Sequence, residues 1–345
     1  MKNFKIANKN IGGSSTYIIA EIGQAHDGSL GSAFSYIDAV SKTGVDAVKF
    51  QTHIADAEST IHESFRVNVF PQDNTRYDYW KRMEFTKEQW HELANFAREK
   101  GLEFLSTPFS IEAVRLLEDI NVPAWKIGSG DITNIDLINA IAATRKPVLI
   151  SSGMSSYTDL EVPVNILNKE KIPYCIFQCT TAYPCSPEDI GYNLIAEIKD
   201  RFKCHVGLSD HSGTIFPSIA SVALGAKIIE VHTVFSKLCF GPDTSSSLEV
   251  DELKKMVDGI RFVEKGINKT LNKDIVAESK KETKNLFARS AFYCRNLKKG
   301  HVIEQSDIMM KKPGGGLLEK DTLFFIGKKL SKDILKDDFV DIGDV

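Results

Sequence analysis

Eight short runs of apolar residues recur along positions 16–232, and helical patterns follow most of them. The runs are nearly continuous in apolar residues, which is typical of parallel strands covered on both faces. They are TYIIAEIG, AVKFQT, LEFLST, AWKIGSG, PVLISSG, YCIFQCT, HVGLSD and KIIEVH. This succession of strand–helix units predicts an α/β fold, the (β/α)8 or TIM barrel. A doubly wound sheet is the alternative, and it is disfavoured because no GxGxxG turn follows the first run.

Helix-boundary signals separate the runs. Thr86 and Gln89 fit a capping box that opens KEQWHELANFAREK, and Gly101 stands where that helix should end. The segment VDELKKMVDGIRFVE supplies a helix for the eighth unit. We therefore assign residues 1–265 to a barrel domain.

The chain beyond residue 265 differs in texture. Residues 266–288 are charged and poor in core residues, which indicates a linker. In residues 289–345, the stretch 296–308 aligns without gaps with 333–345. The apolar positions that coincide are Leu297/Ile334, Val302/Phe339, Ile303/Val340 and Ile308/Val345. This repeat predicts a small β-rich domain of two similar halves, joined through a flexible KKPGGG loop.

Composition and charge narrow the class of protein. Hydrophobic residues make up 42% and charged residues 26% of the 345 positions, as in an ordinary globular enzyme. The net charge of -3 gives no electrostatic reason to bind nucleic acid or an anionic membrane. We expect neither a membrane span nor a signal peptide, because the apolar runs are short and MKNFKIANKN is polar. Six cysteines without a CxxC pair favour reduced thiols in the cytoplasm over disulfides or zinc.

Polar residues end nearly every predicted strand. A TIM barrel carries its chemistry at the carboxyl ends of its strands, so these side chains should meet at one mouth. In chain order they are Glu21, Lys49, Gln51, Thr107, Lys126, Ser129, Asp131, Ser151, Thr180, Thr181, Tyr183, Ser209, Asp210, His211 and His232.

Two of these residues, Lys49 and Lys126, lie inside apolar runs, where an unpaired ammonium group is costly. One explanation is a lysine that reaches the rim or pairs with a carboxylate such as Glu21. Two lysines near three strand-end serines favour another explanation. They predict a site for a small polyanion that carries phosphate and carboxylate groups.

His211 and His232 end the seventh and eighth predicted strands, which are neighbours in a barrel. Two imidazoles among oxygen ligands favour manganese or a similar ion over magnesium, and two hydrogen-bonded rim histidines are the alternative. The sequence Ser209-Asp210-His211 does not indicate a serine nucleophile. There is no GxSxG motif, and the residues of a catalytic triad normally come from separate segments. Ser209 is better explained as a hydrogen-bond donor to a phosphate group, and His211 as a metal ligand.

The pattern resembles the sialic acid synthase family, which comprises N-acetylneuraminate synthase and related nonulosonic acid synthases. The matching segments span nearly all of residues 16–255. They are AEIGQAHDGS, AVKFQTH, LSTPFS, WKIGSGD, ISSGMSS, QCTTAYPCSPED, GLSDHSG, ALGAKIIEVH and GPDTSSSLEVDEL. In the tail, KKGHVIEQSDI, KKPGGG and GKKLSKDI resemble the family's antifreeze-like (SAF, β-clip) domain.

The resemblance implies a metal-dependent transferase. It would condense phosphoenolpyruvate with N-acetylmannosamine or a related sugar aldehyde, giving a nine-carbon 2-keto sugar acid and phosphate. The implied cofactor is a divalent metal, Mn²⁺ first and Mg²⁺ or Co²⁺ as alternatives, and the implied assembly is a domain-swapped homodimer. Alternative functions are an N,N'-diacetyllegionaminate or pseudaminate synthase and, in another class, a non-catalytic polysaccharide-assembly or spore-coat binding protein.

The resemblance also implies roles for individual residues. Asp131 and Glu21 would be catalytic, with Glu21 also lining the sugar pocket, and His211 and His232 would hold the metal. Residues that would bind phosphoenolpyruvate are Lys49, Lys126, Ser129, Ser151, Thr181 and Ser209. Residues that would bind the sugar are Gln51, Thr107, Tyr183, Asp243 and Lys312. Lys312 stands where an arginine typically reaches into the partner's site, and lysine lacks its bidentate fork.

Overall fold

The computed structural model describes residues 1–67 and 70–345, which form two units, Met1–Asn268 and Lys269–Val345. In the first unit, an antiparallel hairpin of β1 (Phe4–Ile6) and β2 (Lys9–Ile11) precedes the eight strands of a parallel sheet. These are β3 (Tyr17–Gly23), β4 (Ala47–Thr52), β5 (Glu103–Pro108), β6 (Trp125–Ile127), β7 (Val148–Ser151), β8 (Tyr174–Cys179), β9 (His205–Asp210) and β10 (Ile228–Val234).

The eight strands β3 to β10 form a nearly closed parallel barrel. Their hydrogen-bonded order is β5-β4-β3-β10-β9-β8-β7-β6, and β5 and β6 face each other across the remaining seam. The register places His232 opposite Glu21 and Glu21 opposite Lys49. The predicted (β/α)8 barrel is confirmed.

Helices alternate with the strands, as a (β/α)8 barrel requires. They are α1 (Leu30–Ser41), α2 (Ala55–Glu58), α3 (Arg76–Met83), α4 (Lys87–Glu99), α5 (Ile111–Asp119), α6 (Ile135–Ala143), α7 (Tyr157–Lys169), α8 (Tyr192–Phe202), α9 (Phe216–Ala223) and, after the short β11 (Leu248–Glu249), α10 (Val250–Ile267). The capping box of α4 is present, with Thr86 accepting from the Gln89 backbone and Gln89 accepting from the Thr86 backbone. None of the helices in the described ranges has the length and apolar character needed to cross a membrane.

The interior of the barrel changes from apolar to polar along its axis. Near the amino ends, Ile6 and Ile11 of the hairpin pack with inward-facing strand residues such as Ile19 and Ile228 and close that end. Successive side chains of a strand alternate between its faces, so every second residue of β10 after Ile228 also points inward. Those residues are Glu230 and His232, and β4 presents Lys49 and Gln51 in the same way. The barrel interior is therefore apolar at the amino ends of the strands and polar at their carboxyl ends.

The second unit has its own core. Its elements are α11 (Lys273–Ser279), α12 (Lys281–Phe287), β12 (Ser290–Tyr293), β13 (Ile308–Lys311) and α13 (Glu319–Thr322). The stretch predicted as a linker, 266–288, thus contains two short helices, and none of their residues is buried. Buried apolar residues pack together around β12, among them Ala291, Tyr293 and Phe325.

The two halves of the tail repeat are structurally equivalent. Leu297 and Ile334, which coincide in the alignment, pair across an antiparallel bridge. Asp307 and Asp344, also aligned, end matching 3₁₀ turns and are buried. Each carboxylate accepts from the backbone nitrogen three residues earlier, at 2.9 and 2.7 Å, and each pairs with a basic side chain. The gapless alignment therefore reflects two similar folded halves.

Candidate active site

A cavity of about 430 Å³ opens at the carboxyl ends of the barrel strands. Its lining includes Glu21, Lys49, Gln51, Thr107, Lys126, Ser129, Asp131, Ser151, Thr181, Tyr183, Ser209, His211, His232 and Asp243. Thr180 and Asp210, which were also expected at the mouth, lie outside this lining. The Thr180 hydroxyl donates to the carbonyl oxygen of Asp189, and Asp210 accepts from the backbone nitrogen of Ser212. Lys312 belongs to the second unit, where its ammonium group lies 5.5 Å from the ring centroid of Phe287. The structure thus places around one cavity fourteen of the fifteen residues that were assigned catalytic, substrate-binding or metal-binding roles.

The first predicted lysine, Lys49, pairs with carboxylates. Its ammonium group contacts Glu21 and lies 3.8 Å from Glu230 Oε2, and the three side chains are 3%, 1% and 5% exposed. Lys49 Nζ also donates to Thr107 Oγ1 at 3.0 Å. Burial raises the pKa of Glu21, while Lys49 acts in the opposite direction.

The second lysine, Lys126, is held on the other side of Glu230. Its ammonium group lies 3.3 Å from Glu230 Oε1 and donates to Ser151 Oγ. Ser209 Oγ donates to the same carboxylate oxygen at 3.2 Å. Burial would raise the pKa of Glu230, but Lys126 and Lys49 outweigh it and hold the pKa at about 2. The expected pairing of a lysine with a carboxylate is therefore present for both lysines, and both also line the cavity. The polyanion site stays a prediction.

Glu230 is a central site residue that the strand-end prediction omits. It lies inside the run KIIEVH, two residues before His232, so both side chains face the barrel interior. An acidic residue in an apolar run, at even spacing from a predicted ligand, is the signal that could have identified it.

The two predicted metal ligands lie side by side, with ring centroids 5.4 Å apart. His211 Nδ1 donates to the carbonyl oxygen of Thr180 at 2.9 Å, and its Nε2 lies 3.3 Å from Tyr183 Oη. Burial, reinforced by His232, lowers the pKa of His211 to about 4. The imidazole is therefore neutral near pH 7, and a neutral imidazole is the form that binds a metal.

The surroundings of the histidines fit a cation that shares its shell with substrate or water. Within residues 1–67 and 70–345, no three His, Cys, Asp or Glu side chains are grouped to hold a metal ion. Glu21 Oε1 is buried and lacks a hydrogen-bond partner in the described ranges. A Cβ built on Gly23 would lie 3.2 Å from this oxygen and 3.5 Å from His232 Cε1, so both groups border one space. Imidazole nitrogen and carboxylate oxygen are both donor types that divalent metal ions bind, and Mn²⁺ stays a prediction.

The turn after β6 carries the predicted catalytic carboxylate. Ser129 and Asp131 lie in one 3₁₀ turn, and burial raises the pKa of Asp131 against a weak opposing contact from Asn134 at 3.4 Å. Ser129 Oγ accepts from the backbone nitrogen of Gly153 at 3.1 Å. A Cβ at Gly153 would overlap Thr181 Oγ1 and lie 2.8 Å from Ser129 Oγ. Only glycine leaves these oxygens free to face the cavity.

The cavity wall also contains Arg66, which no sequence motif predicts as a site residue. Arg66 pairs with Asp243 at 2.5 Å, and its guanidinium carbon lies 4.3 Å from the ring centroid of Tyr183. The cation thereby fixes two predicted sugar-binding residues. Arg66 lies in the long connection between β4 and α3, where the sequence has no periodic pattern to locate it.

Ion-paired lysines, two histidines and a carboxylate with a raised pKa lie together at the carboxyl mouth of this (β/α)8 barrel. Such a grouping at that end of the barrel is typical of an enzyme active site. The chain belongs to the NeuB family, whose model matches residues 36–271. The resemblance stated from the motifs is confirmed.

Individual relatives agree with this assignment. An N,N'-diacetyllegionaminic acid synthase of Campylobacter jejuni is 31% identical over 331 residues, which cover 94% of this chain and 98% of that protein. A pseudaminic acid synthase of the same species is 33% identical over 323 residues, covering 92% and 93%. The crystal structure of N-acetylneuraminic acid (sialic acid) synthetase from Leptospira borgpetersenii superposes with a TM-score of 0.73 at 30% identity. It covers 83% of this chain and 97% of that one.

Proposed function

We propose that this chain is a synthase that condenses phosphoenolpyruvate with an N-acetylmannosamine-type sugar aldehyde, forming a nine-carbon 2-keto sugar acid and phosphate. The observation that carries the proposal is the grouping of Lys49, Lys126, His211 and His232 in one cavity of a NeuB-family barrel. A purely binding module has no need for phosphate-binding lysines beside candidate metal ligands. The non-catalytic alternative is therefore disfavoured.

Phosphoenolpyruvate would occupy the side of the cavity that holds Lys126. This lysine, Ser129, Ser151 and Ser209 line it with one cation and three hydroxyl groups. Charge-assisted hydrogen bonds to phosphate and carboxylate oxygens are the strongest contacts available to such an anion. Glu230 neutralises the lysine in the free protein, which makes burial of the cation tolerable before substrate arrives.

The reaction joins two carbon atoms. The enol carbon of phosphoenolpyruvate attacks the aldehyde carbon of the open-chain sugar, and water adds to the resulting oxocarbenium-like carbon. The tetrahedral intermediate then collapses and releases phosphate. Asp131 and Glu21 are the carboxylates that would move protons between water, the new hydroxyl group and the leaving phosphate.

A divalent cation bound by His211 and His232 would supply Lewis-acid polarisation of the aldehyde oxygen. We propose Mn²⁺ first, because two imidazole nitrogens among oxygen ligands favour it over Mg²⁺. Mg²⁺ and Co²⁺ are the alternatives.

A diacetamido sugar is the second candidate acceptor. Relatives named legionaminic and pseudaminic acid synthases match this chain at 31% and 33% identity, close to the 30% of the sialic acid synthetase structure. Gln51, Thr107, Tyr183 and Asp243 are the residues proposed to contact either sugar.

We also propose that the second unit acts as an antifreeze-like domain in a domain-swapped homodimer, with Lys312 completing the partner's sugar site. The tail segments quoted above and its two equivalent halves support this. Mixing inactive His211→Ala chains with inactive Lys312→Ala chains should restore part of the activity, because one mixed site carries both groups. If tagged chains exchange and no activity returns, the swapped arrangement is refuted.

The central experiment measures phosphate release from phosphoenolpyruvate and Mn²⁺ against a panel of acceptors. N-acetylmannosamine and the two diacetamido sugars form the panel, and mass spectrometry identifies each product. Release with one sugar identifies the acceptor. If no sugar elicits phosphate release or a nine-carbon product, the proposed function is wrong.

A further inference from the structure

His53 directly follows β4 in the cavity wall, and the proposed chemistry gives it no role. Its ring lies between those of Trp80 and Phe109, with centroids 3.9 and 4.6 Å away and planes within 17° and 7°. Nδ1 lies 2.5 Å from Glu58 Oε1, and the two side chains are 4% and 7% exposed. Two stacked rings and a buried carboxylate thus fix both the plane and the rotation of the imidazole.

The fixed ring directs its second nitrogen at a pair of glutamines. His53 Nε2 lies 3.3 Å from Gln51 Oε1 and 3.4 Å from Gln24 Nε2. Gln24 Nε2 donates to Gln51 Oε1 at 2.8 Å, and Tyr79 Oη donates to Gln24 Oε1 at 2.8 Å. With its proton on Nδ1 toward Glu58, neutral His53 has an acceptor at Nε2. Nε2 therefore takes one hydrogen of the Gln24 NH₂ group, and the other hydrogen goes to Gln51 Oε1, so His53 holds Gln51 through Gln24.

The other end of the Gln51 carboxamide faces the reaction centre. A Cβ built on Gly23 would lie 3.5 Å from Gln51 Nε2 and 3.5 Å from His232 Cε1. Within the described ranges, Gln51 Nε2 makes no hydrogen bond to protein. Turning only this carboxamide round would bring its NH₂ against the NH₂ of Gln24, donor against donor. The wall thus selects the orientation that leaves the NH₂ group for a ligand.

We propose that His53 and Glu58 are positioning residues, which hold Gln51 so that its amide NH₂ is presented to an oxygen atom of the acceptor sugar. The inference rests on the proposed function, because Gln51 is proposed to bind that sugar. A donor oriented before binding costs no ordering entropy when the sugar arrives, so its hydrogen bond contributes more to affinity.

The first test replaces the carboxylate with its isosteric amide, Glu58→Gln. Loss of one oriented hydrogen bond should raise the acceptor KM by about three- to tenfold. The KM for phosphoenolpyruvate should stay within about twofold, because Gln51 points to the acceptor side. His53→Phe, which keeps the stacking between Trp80 and Phe109, should give the same selective change.

The control uses a histidine–carboxylate pair on the outside of the barrel. His91 Nε2 lies 2.8 Å from Asp119 Oδ2, and these side chains are 36% and 49% exposed. Asp119→Asn should leave both KM values unchanged. Equal effects of Glu58→Gln on the two substrates would show general damage to the site and would overturn the inference.

A double-mutant cycle separates positioning from direct contact. If Glu58 acts through Gln51, then Glu58→Gln should change the acceptor KM little once Gln51→Ala is present. Additive effects of the two substitutions would show that Glu58 acts independently of Gln51, against the proposal.

A readout without turnover keeps this inference separate from the proposed function. In side-chain ¹H–¹⁵N NMR spectra, the Nδ1 proton of His53 should be strongly deshielded by Glu58 and should shift upfield in Glu58→Gln. Absence of that proton signal in the wild-type spectrum, under conditions where other buried imidazole protons are seen, refutes the inference. Lack of synthase activity would instead refute the proposed function.

Discussion

Replacing Lys126 with methionine separates the two roles of the lysines, ion pairing and substrate binding. In the free protein, Lys126 lies 3.3 Å from Glu230 and contacts Ser151, with its side chain 5% exposed. Its ammonium group also lies 5.2 Å from the ring centroid of Phe177, so a methionine side chain would have an apolar neighbour. The substitution removes the charge while largely keeping the volume.

The substitution should mainly weaken the binding of phosphoenolpyruvate. A hydrogen bond to a charged group contributes about 1.5–3 kcal/mol, which corresponds to roughly a 10- to 150-fold increase in KM. The acceptor KM should change much less, because Lys126 is proposed to contact phosphoenolpyruvate and not the sugar. Stability should also fall, by less than the roughly 3–5 kcal/mol typical of an orphaned buried ion, since Glu230 keeps Lys49 at 3.8 Å.

The assay varies each substrate against a saturating concentration of the other and follows phosphate release. Thermal unfolding of the same samples reports the stability change. Lys87→Met is the control, since it breaks an exposed ion pair with Asp119 at 2.9 Å and should alter neither KM. An unchanged phosphoenolpyruvate KM in a folded Lys126→Met protein would show that Lys126 is only a structural lysine.

Three further predictions test other parts of the chain. Chelation should abolish turnover and Mn²⁺ should restore it in the wild type but not in His232→Ala; full activity of a metal-free sample would contradict this. Ile6→Ala, a fully buried position of the hairpin, should lower the unfolding free energy by about 2–5 kcal/mol without changing either KM, measured by denaturant titration and kinetics. Burial raises the pKa of Asp131, so its charged form opposes folding above that pKa. Asp131→Asn should therefore raise Tm at neutral pH, and this difference should vanish as the pH falls through the raised pKa to the ordinary aspartate range; a constant difference would contradict it.

Strand periodicity made the barrel and most of its site predictable. A parallel strand covered on both faces is apolar throughout, and burying an unpaired charge there is costly. An ionisable residue within such a strand is therefore expected to face the mouth of the barrel. Lys49 and Lys126 were found for that reason, and His232 because it ends such a run. Glu230 obeys the same rule as the two lysines, but the prediction for its run considers only the terminal residue, His232, two positions further on.

The connection between β4 and α4 was not predictable in the same way. Its residues reach the cavity through contacts between positions far apart in the chain, such as Arg66 with Asp243. Such pairs depend on tertiary packing and leave no period in the sequence. His53 is intermediate, because its place after β4 puts it near the mouth, whereas its partner Glu58 depends on the short helix α2.

Charge balance at the cavity floor leads to a last prediction. Lys49 and Lys126 are opposed by Glu21 and Glu230, so the floor has no net charge to offset the phosphate and carboxylate of phosphoenolpyruvate. A divalent cation at the adjacent histidines would supply the missing positive charge. Metal and phosphoenolpyruvate should therefore bind cooperatively, each strengthening the other by the same factor, on the order of 5- to 150-fold.

Calorimetry can measure this coupling without the acceptor sugar. Phosphoenolpyruvate is titrated into protein with and without Mn²⁺, and Mn²⁺ into protein with and without phosphoenolpyruvate, after correction for binding between the two ligands in solution. The two ratios of Kd must agree, because binding free energies around a closed cycle sum to zero. In His232→Ala, the coupling should be lost and both Kd ratios should fall to about one. Independent binding in the wild type would show that the lysines, despite their carboxylate partners, carry enough positive potential to hold the anion alone.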